Sequence, residues 1–329
     1  MTCRYLTVRS EIWPLKEVFH ISRGVKTQAD VIVAELEQGV FRGRGEAVPY
    51  ARYGETIESV TAQIKAVAAE VEGGVSPERL LEILPAGAAR NAVDCALWDI
   101  ICREQETPLW ELLDLPRPRG METAVTISIG SAETMAEKAS VYKDYPLLKI
   151  KLDDQDIKAR ITAIRQAAPN PRIIIDPNES WTMQHLRGLD SFLHRMKIDL
   201  LEQPLAAGQD GDLADFNGKI PICADESCHT REDLAGLVGK YQVVNIKLDK
   251  TGGLTEAMSV KKQAEAMGFD IMVGCMVSTS LAMAPALLLA HDVAFVDLDG
   301  PILIKEDREY GLNLIQGYIS GLSPELWGG

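Results

Sequence analysis

Three short apolar segments in the middle of the chain each end in an acid: IIID (173–176), LLE (200–202) and PICAD (221–225). The terminal acids are 26 and 23 residues apart. A strand, a turn, a helix and a return turn need about that length, so three successive βα units would place the carboxylates at one end of a parallel sheet. Carboxylates gathered there would repel one another unless a hard cation lay between them, and oxygen-only ligands suit Mg²⁺ better than zinc. The spacing therefore predicts a Mg²⁺ site formed by Asp176, Glu202 and Asp225, with helix N-caps or surface acids as the alternative.

Three lysines lie on predicted strands near these acids. Lys149 and Lys151 share one face of LLKIK (147–151) because side chains alternate along a strand. Lys247 ends the apolar strand VVNIK (243–247). An isolated buried ammonium is costly, so lysines that face a barrel interior must be paired or functional. Lysines on both sides of a metal-bound acid suggest proton transfer, whereas a solvated edge strand is the other interpretation of the first pair.

Further polar residues follow the predicted strands. Asp297 and Asp299 end the last strand with a spacing of two residues. This pair can bind a cationic group of a substrate, or it can be a pair of turn aspartates ahead of Gly-Pro. Asn178 and Glu226 flank the three acids as supporting residues or as ordinary turn residues, and Lys250 is expected in a loop.

The first third of the chain has the pattern of strands followed by helices. Residues 30–36 and 40–46 predict an antiparallel hairpin. Helices are predicted over residues 56–72, 76–84 and 86–104. Strands followed by helices indicate an α+β domain, which we place at residues 1–113.

From residue 119 to residue 309, strands and helices alternate. The eight predicted strands are residues 123–129, 147–151, 173–176, 200–202, 222–224, 243–247, 270–273 and 295–297. Eight parallel strands fit a TIM-type barrel. An open doubly wound sheet is the competing architecture, but polar residues at seven strand ends fit the active-site face of a barrel better. Residues 310–329 are too few for a domain and are expected to pack back on the first one.

Composition narrows the class of protein. The 329 residues carry a net charge of −14, which argues against nucleic acid or an anionic membrane as partner. The first residues lack the pattern of a signal peptide, and no run approaches the roughly 20 apolar residues of a membrane span. The six cysteines are scattered, as expected of reduced thiols in a cytoplasmic protein: Cys3, Cys95, Cys102, Cys223, Cys228 and Cys275.

Taken together, the motifs resemble those of the enolase superfamily, in its muconate-lactonising subgroup. The ordered motifs are KIK (149–151), DPNESW (176–181), LEQPL (201–205), ADES (224–227) and NIKLDKTGG (245–253). A narrower resemblance, to dipeptide epimerases acting on L-Ala-D/L-Glu, is carried by PYARYGE (49–55), LPAGAARNAVDCALWD (84–99), GCM (274–276) and DLDG (297–300). The resemblance covers the whole chain and implies an α/β fold, a modified TIM-type (β/α)7β barrel with an N-terminal α+β capping domain.

The resemblance also implies a role for each candidate residue. Asp176, Glu202 and Asp225 would bind Mg²⁺, and the metal would take the carboxylate of the C-terminal residue of a dipeptide. Lys151 and Lys247 would be the two acid/base catalysts, one on each face of the α-carbon.

Substrate recognition is implied at five further positions. Lys149 would hold the substrate carboxylate, and Asp297 and Asp299 would hold its α-ammonium group. Arg23 and Arg52 are candidates for the side-chain carboxylate of a Glu residue. Of these two, Arg23 is favoured by its loop position.

The function implied is Mg²⁺-dependent epimerisation of L-Ala-L-Glu or L-Ala-D-Glu by 1,1-proton transfer through an enediolate, in the recycling of murein peptides. The partner is a small dipeptide, and a homo-oligomer is possible. Two alternatives stay open. One is another reaction of the superfamily, such as o-succinylbenzoate synthesis or cycloisomerisation, and the other is a metal-binding barrel without catalysis.

Overall fold

The structure is a computed structural model that describes residues 4–329. Cys3 therefore lies outside the described residues. The strands are β1 Arg4–Ile21, β2 Gly24–Gln38, β3 Phe41–Ala47, β4 Met121–Glu122, β5 Val125–Ile127, β6 Leu147–Lys151, β7 Arg172–Asp176, β8 Leu200–Glu202, β9 Ile222–Ala224, β10 Val243–Ile246, β11 Asp270–Gly274, β12 Phe295–Asp297, β13 Asn313–Ile315 and β14 Tyr318–Ser320.

The α-helices are α1 Ile57–Ala66, α2 Ala68–Glu72, α3 Pro77–Ile83, α4 Ala88–Gln105, α5 Leu109–Leu112, α6 Ala132–Val141, α7 Ile157–Ala167, α8 Met183–Arg195, α9 Leu248–Thr251, α10 Leu254–Ala266, α11 Ser280–Ala286 and α12 Gly300–Leu303. Three short 3-10 helices cover Ala51–Tyr53, Gly211–Asp215 and Leu234–Leu237. None of the helices described is long and apolar enough to cross a membrane.

The first domain is a three-stranded antiparallel sheet, in the order β1-β2-β3, with helices packed on it. The predicted hairpin is confirmed as β2 and β3, with Ala34 opposite Gly45. The long strand β1 was not predicted, because its exposed edge position leaves it without a strongly apolar face. One helix was expected over residues 56–72, but the structure has two, α1 and α2, which meet at Val67.

The contact between α4 and β3 depends on small residues. A Cβ atom built on Gly45 would collide with the backbone oxygen of Ala92, and one built on Gly43 would collide with that of Ala96. Both helix residues are fully buried. The close approach of helix and strand therefore requires glycine at these two positions of the strand.

The second sheet is the predicted barrel of eight parallel strands, and this prediction is confirmed. Its strands follow in sequence order from β5 to β12. The backbone N–H of Ala124 donates to the carbonyl oxygen of Val296 at 2.8 Å, which brings the two ends of the sheet together. Between β8 and β10 the connections contain only 3-10 helices rather than the expected α-helices. Strand β5 is shorter than predicted and is preceded by the separate strand β4.

The end of the chain contacts both parts of the molecule. Strands β13 and β14 form a hairpin that pairs with β4, just ahead of the barrel. The last residues then lie against α4, where the indole N–H of Trp327 donates to Cys95 O at 3.0 Å and Gly328 N–H donates to Asp99 at 2.7 Å. The cysteines of residues 4–329 are all free thiols.

The packing of α4 on β3 predicts the effect of a single methyl group. Gly45→Ala should destabilise the protein by about 1–3 kcal/mol, because the added Cβ meets helix backbone that has no room to move. Gly188→Ala, in α8, is the matched control. Its Cβ would meet no atom within 4 Å, so this change should be neutral or stabilise by up to about 1 kcal/mol. Calorimetric melting of both variants tests this, and equal melting temperatures would contradict it.

Candidate active site

The candidate active site is a cleft of about 640 Å³, counting its open mouth, at the C-terminal ends of the barrel strands. Seven of the predicted site residues line it: Arg23, Lys149, Lys151, Asp225, Lys247, Asp297 and Asp299. Asp176 and Glu202 lie beneath its floor and are fully buried. Arg52 lines a neighbouring cleft instead. The structure therefore brings together all the predicted site residues except Arg52.

Lys149 lies at the centre of the site. Its Nζ is 2.7 Å from Glu202 Oε2, 2.7 Å from Asp297 Oδ2 and 3.3 Å from Asp176 Oδ2. Burial disfavours the charge of this side chain, but the negative charges of Asp297, Glu202 and Asp176 outweigh burial and hold its pKa well above the usual range. Lys149 is therefore an ammonium that links the acids on opposite sides of the barrel.

The other two predicted lysines face each other across the barrel mouth. Lys151 ends β6 and lies 2.5 Å from Asp176 Oδ2. Lys247 directly follows β10 and lies 2.6 Å from Asp225 Oδ2. In the order of the strands, β6 and β10 are four places apart in a sheet of eight, which is halfway around the barrel. Any group held at the centre of the cleft therefore has one lysine on each side.

The neighbouring lysines lower the pKa values of Asp176 and Asp225. Burial opposes ionisation of Asp176, but the charges of Lys151 and Lys149 lower its pKa to about 2. Burial likewise opposes ionisation of Asp225, whose pKa is nevertheless held well below the usual range, chiefly by Lys247. Neighbouring positive charges alone would lower the pKa of a lysine and make it a base near neutral pH. For Lys247 the structure shows the opposite, because burial is outweighed by Asp225 and its pKa lies well above the usual range.

The three metal-ligand candidates, Asp176, Glu202 and Asp225, each lie within ion-pair distance of a lysine. Within residues 4–329, no three His, Cys, Asp or Glu side chains are gathered closely enough to hold a metal ion, since lysine ammoniums lie among the acids. Even so, Glu202 Oε2 and Asp225 Oδ1 are buried and accept no well-aligned hydrogen bond, although lysine nitrogens lie 2.7 and 2.6 Å away. Buried carboxylate oxygens without donors are what a hard divalent cation satisfies. The donor set fits Mg²⁺.

Two asparagines orient the acids. The backbone N–H of Asn178 donates to Asp176 Oδ1 at 2.8 Å, and its side-chain amide lies 3.1 Å from Asp176 Oδ2. Asn178 has a positive φ of 45°, a conformation that asparagine tolerates better than most residues. Asn245 donates from its side chain to Glu202 Oε1 at 2.9 Å. Asn178 therefore supports Asp176, one of the two roles considered for it.

Lys250 is a buried site residue that the sequence analysis placed in a loop. It lies in the short helix α9, and its Nζ donates to the carbonyl oxygens of Asp225 at 2.5 Å and Asn245 at 2.8 Å. The same nitrogen is 2.6 Å from Asp225 Oδ1. Lys250 thus ties the end of β9 to the end of β10. The sequence feature that could have predicted this role is the position of Lys250, three residues after Lys247 and just before Gly252-Gly253.

Arg23 lies at the tip of the hairpin between β1 and β2 and reaches into the cleft. Its guanidinium lies 2.7 Å from Glu226 and 2.9 Å from Glu179, and it donates to the hydroxyl of Tyr50 at 3.0 Å. Glu226 is almost fully buried. It is therefore an ion-pair partner rather than an ordinary turn residue.

Arg52 forms a two-pronged ion pair with Glu179, with both distances 2.9 Å. Its side chain is 40% exposed and does not line the cleft. Glu179 also accepts a hydrogen bond from the backbone N–H of Ala207 at 2.8 Å. One barrel carboxylate thus holds both arginine-bearing loops of the first domain, a role the sequence analysis missed because nothing in the local pattern set Glu179 apart.

Asp297 and Asp299 lie on the far side of the cleft from Glu202. Asp297 contacts Lys149, whereas Asp299 has no cation within 4 Å among the residues described and accepts a hydrogen bond from the N–H of Thr126 at 2.7 Å. Burial, together with the charge of Asp297, raises the pKa of Asp299 to about 7. A cationic group of a ligand would relieve this unfavourable burial.

Two family models match the chain, one in each part of the fold. Residues 4–114 match the mandelate racemase / muconate lactonizing enzyme N-terminal domain, and residues 132–303 match the enolase C-terminal domain-like family. A barrel with lysines and acids at one end, covered by an α+β domain, is the architecture of this class. The chain belongs to the enolase superfamily, and the predicted resemblance is confirmed.

Individual relatives extend over nearly the whole chain. The L-Ala-D/L-Glu epimerase of Escherichia coli (strain K12) is 47% identical over 316 residues, which cover 95% of this chain and 98% of that protein. The N-acetyl-D-glutamate racemase of Pseudoalteromonas sp. is 48% identical over 301 residues, with coverage of 91% and 94%. These relatives confirm the prediction of an enzyme of the isomerase class.

One similar solved structure is of an enolase family member from Agrobacterium tumefaciens with homology to dipeptide epimerases, with bound sodium and L-Ala-L-Glu. It matches with a TM-score of 0.96 and 49% sequence identity, and the match covers 99% of this chain and 100% of that chain.

The contacts of Lys250 predict that it is needed for stability in the absence of metal. Lys250→Met should lower the free energy of unfolding by about 3 kcal/mol, because two buried carbonyl groups lose their donor and Asp225 loses one of its counter-charges. Lys262→Met, on the exposed face of α10, is the matched control and should change stability by less than about 0.5 kcal/mol. Urea unfolding in EDTA measures both, and similar losses in the two variants would contradict the assignment.

Proposed function

We propose that this protein is a Mg²⁺-dependent dipeptide epimerase that inverts the α-carbon of the C-terminal residue of L-Ala-L-Glu or L-Ala-D-Glu. The observation that carries the proposal is the placement of Lys151 and Lys247 halfway around the barrel from each other, at opposite sides of one cleft. Inversion needs a base on one face of the carbon and an acid on the other. Relatives named as an epimerase and a racemase support this reaction class.

The two lysines exchange roles with the direction of the reaction. One lysine, as the neutral amine, takes the α-proton, and the other, as the ammonium, delivers a proton to the opposite face. For Lys247 the neutral form would require a cation that compensates the charge of Asp225, because that charge otherwise favours the ammonium. Their carboxylate partners, Asp176 and Asp225, fix where each nitrogen lies. The stereochemistry of the bound substrate then decides which lysine acts as base.

Removing a proton next to a carboxylate requires stabilisation of the enediolate that forms. Asp176, Glu202 and Asp225 would hold Mg²⁺, which supplies positive charge to the substrate carboxylate when bound. Lys149 remains an ammonium under the influence of its carboxylate neighbours and supplies a second positive charge beside that carboxylate. Similar solved structures of dipeptide epimerases complexed with Mg and a dipeptide support the choice of metal.

Asp297 and Asp299 would bind the α-ammonium group of the dipeptide. They stand at the end of β12, across the barrel from Glu202, so a ligand that contacts both sides places its central carbon between the two catalytic lysines. Asp299 lacks a cationic partner among the residues described, and an ammonium would supply one. A free amino end is therefore the group that this side of the cleft favours.

Arg23 would bind the side-chain carboxylate of the glutamyl residue. Glu179 pairs with both arginines, but Arg23 lines the cleft whereas Arg52 lies outside it. We assign Arg52 to holding its loop in place. The L-Ala-L-Glu bound in the similar structure from Agrobacterium tumefaciens supports a glutamyl substrate.

The domain boundaries and the cellular role are part of the same proposal. Residues 1–113, with 310–329, act as the cap, and residues 119–309 form the catalytic barrel. Contacts of Trp327 and Gly328 with α4 support the return of the tail to the cap. An enzyme that epimerises L-Ala-D/L-Glu in the cytoplasm would serve the recycling of murein peptides.

A second candidate is racemisation of N-acetylglutamate, and the relative from Pseudoalteromonas sp. favours it. The two substrates share the glutamyl carbon that reacts but differ on the amino side, where the acetyl group carries no charge. Asp299 is buried and has no cation beside it within residues 4–329, which favours the dipeptide.

Exchange in D₂O tests the two-lysine reaction. With Mg²⁺ and L-Ala-L-Glu, the Glu α-proton should be replaced by deuterium while L-Ala-D-Glu appears, as followed by NMR and polarimetry. Lys151→Ala and Lys247→Ala should each lower epimerisation by about 10²–10⁴-fold. Each variant should keep exchange with only one stereoisomer, and the favoured stereoisomer should differ between them. Loss of exchange with both stereoisomers in only one variant would show a single-base reaction.

Asp299→Asn separates the two substrate candidates. The amide can still accept the Thr126 N–H but has no charge, so kcat/KM for L-Ala-L-Glu should fall about 10- to 100-fold. The value for N-acetyl-L-glutamate should stay within about twofold, because that substrate has no ammonium. Equal losses for both substrates would remove the ammonium-binding role.

Replacing each arginine tests recognition of the glutamyl side chain. Arg23→Leu should lower kcat/KM for L-Ala-L-Glu about 100-fold relative to L-Ala-L-Leu, because the substrate carboxylate loses its ion-pair partner. Arg52→Leu removes an arginine from the same domain and should leave the ratio of the two substrates unchanged. A larger change of the ratio with Arg52→Leu would reverse the assignment.

A further inference from the structure

The chain that follows Lys151 is held by the barrel alone. The N–H of Leu152 donates to Asp176 O at 3.2 Å, and the carbonyl oxygen of Asp153 accepts from the indole N–H of Trp181 at 3.0 Å. Within residues 4–329, the turn after Lys151 forms no hydrogen bond with the first domain. The backbone of this lysine is therefore fixed by its own barrel neighbours.

The chain that follows Lys247 is held by the first domain as well. Asp249, two residues further on, is 5% exposed, and its Oδ1 accepts two hydrogen bonds from that domain. One donor is the backbone N–H of Val48 at 2.8 Å, and the other is the side chain of Asn91, in α4, at 3.0 Å. The two proposed catalytic lysines thus differ in what fixes the chain beside them.

The short helix α9 transmits the position of Asp249 to Lys247. The N–H groups of Lys250 and Thr251 both donate to the carbonyl oxygen of Lys247 at 3.0 Å. Lys247 is therefore part of the same closed turn as Asp249, since it is the residue at which that turn begins. A shift of Asp249 must move the backbone from which the Lys247 ammonium extends.

The other side of this contact leads to the wall of the cleft. Val48 directly follows β3 and lies two residues before Tyr50, which lines the cleft. The carboxylate of Glu55 accepts from the N–H groups of Tyr50 at 3.0 Å and Ala88 at 2.8 Å, so the rest of this loop is fixed on the start of α4. Asp249 therefore joins Lys247 to a well-anchored part of the first domain.

Asp249 has the properties of a hydrogen-bond acceptor rather than of a counter-charge. Burial, together with the negative charges of Glu55 and Glu46, raises its pKa to about 7. Both of its donors, a backbone amide and an asparagine side chain, are neutral groups. A neutral side chain with an oxygen in the same place can therefore replace it.

We propose that Asp249 is a positioning residue for Lys247, which anchors the turn beside this lysine to the first domain and so controls proton transfer on one face of the substrate α-carbon only. The inference rests on the proposed function, because it requires two lysines that act on opposite faces. Misplacing a catalytic group by about 1 Å can cost on the order of 10²-fold in rate. Lys151 is anchored separately, so proton transfer on its face does not depend on Asp249.

The test measures exchange of the Glu α-proton in D₂O separately for L-Ala-L-Glu and L-Ala-D-Glu, with Mg²⁺ present. Lys247→Ala first identifies the stereoisomer whose exchange requires Lys247. In Asp249→Ala, kcat for exchange with that stereoisomer should fall at least about tenfold relative to kcat for the other, because only the Lys247 nitrogen is displaced. KM for each dipeptide should stay within about threefold of the wild-type value.

Two control variants separate positioning from general stability. Asp249→Asn keeps the acceptor oxygen and should keep the ratio of the two exchange rates within about twofold of wild type. Thr255→Val removes another buried hydrogen bond between the barrel and the first domain, the one from Thr255 Oγ1 to Asp94 at 2.5 Å. It should lower the melting temperature and leave the ratio unchanged.

Each outcome decides the proposal. Equal losses for both stereoisomers in Asp249→Ala, or the same change of ratio in Thr255→Val, overturn the positioning role and leave the proposed function intact. If circular dichroism shows that Asp249→Ala is unfolded, Asn91→Ala, which removes one of the two donors, takes its place, and an unchanged ratio there overturns the role. Absence of exchange with both stereoisomers in the wild-type protein overturns the proposed function, and the positioning role with it.

Discussion

The structure depends on charge balance at the mouth of the barrel. Among the residues described, four carboxylates meet four lysine ammoniums within ion-pair distance: Asp176, Glu202, Asp225 and Asp297 with Lys149, Lys151, Lys247 and Lys250. Most of these groups are almost completely buried, where an unpaired charge would cost several kcal/mol. Neither set of charges can be buried without the other, and parallel strands of matched length are what bring both to one level.

The first domain is coupled to the barrel at the turn that follows Lys247. Arg90, in α4, donates to the carbonyl oxygens of Thr251 and Gly252 at 2.6 and 3.0 Å. Asp249, two residues after Lys247, accepts from the N–H of Val48 at 2.8 Å and from the side chain of Asn91 at 3.0 Å. The position of Lys247, one of the two proposed catalytic lysines, is therefore set by both domains, which is a physical reason for the first domain and the barrel to occur in one chain.

The sequence predicted the parts of the site whose positions follow from strand ends. Acids and lysines at the ends of buried strands must meet in a barrel, so spacing alone located Asp176, Glu202 and Lys151. The roles of Lys250 and Glu179 were not predicted because both residues lie in turns. There the direction of a side chain follows from backbone angles that no periodic pattern reveals. Strand β1 was not predicted for a different reason, since an exposed edge strand has no continuous apolar face.

The ion pairs of Arg23 change what substrate selection would require. In the absence of ligand, this arginine is already paired with Glu226 and Glu179. On the proposed assignment, a glutamyl carboxylate does not approach an empty cation but exchanges with a carboxylate of the protein itself. In such an exchange one carboxylate replaces another beside Arg23, so little additional charge has to be desolvated. A neutral side chain cannot form this ion pair. The resident acids would then act as competitors that any substrate must match, and discrimination would come from rejecting uncharged side chains as much as from attracting the correct one.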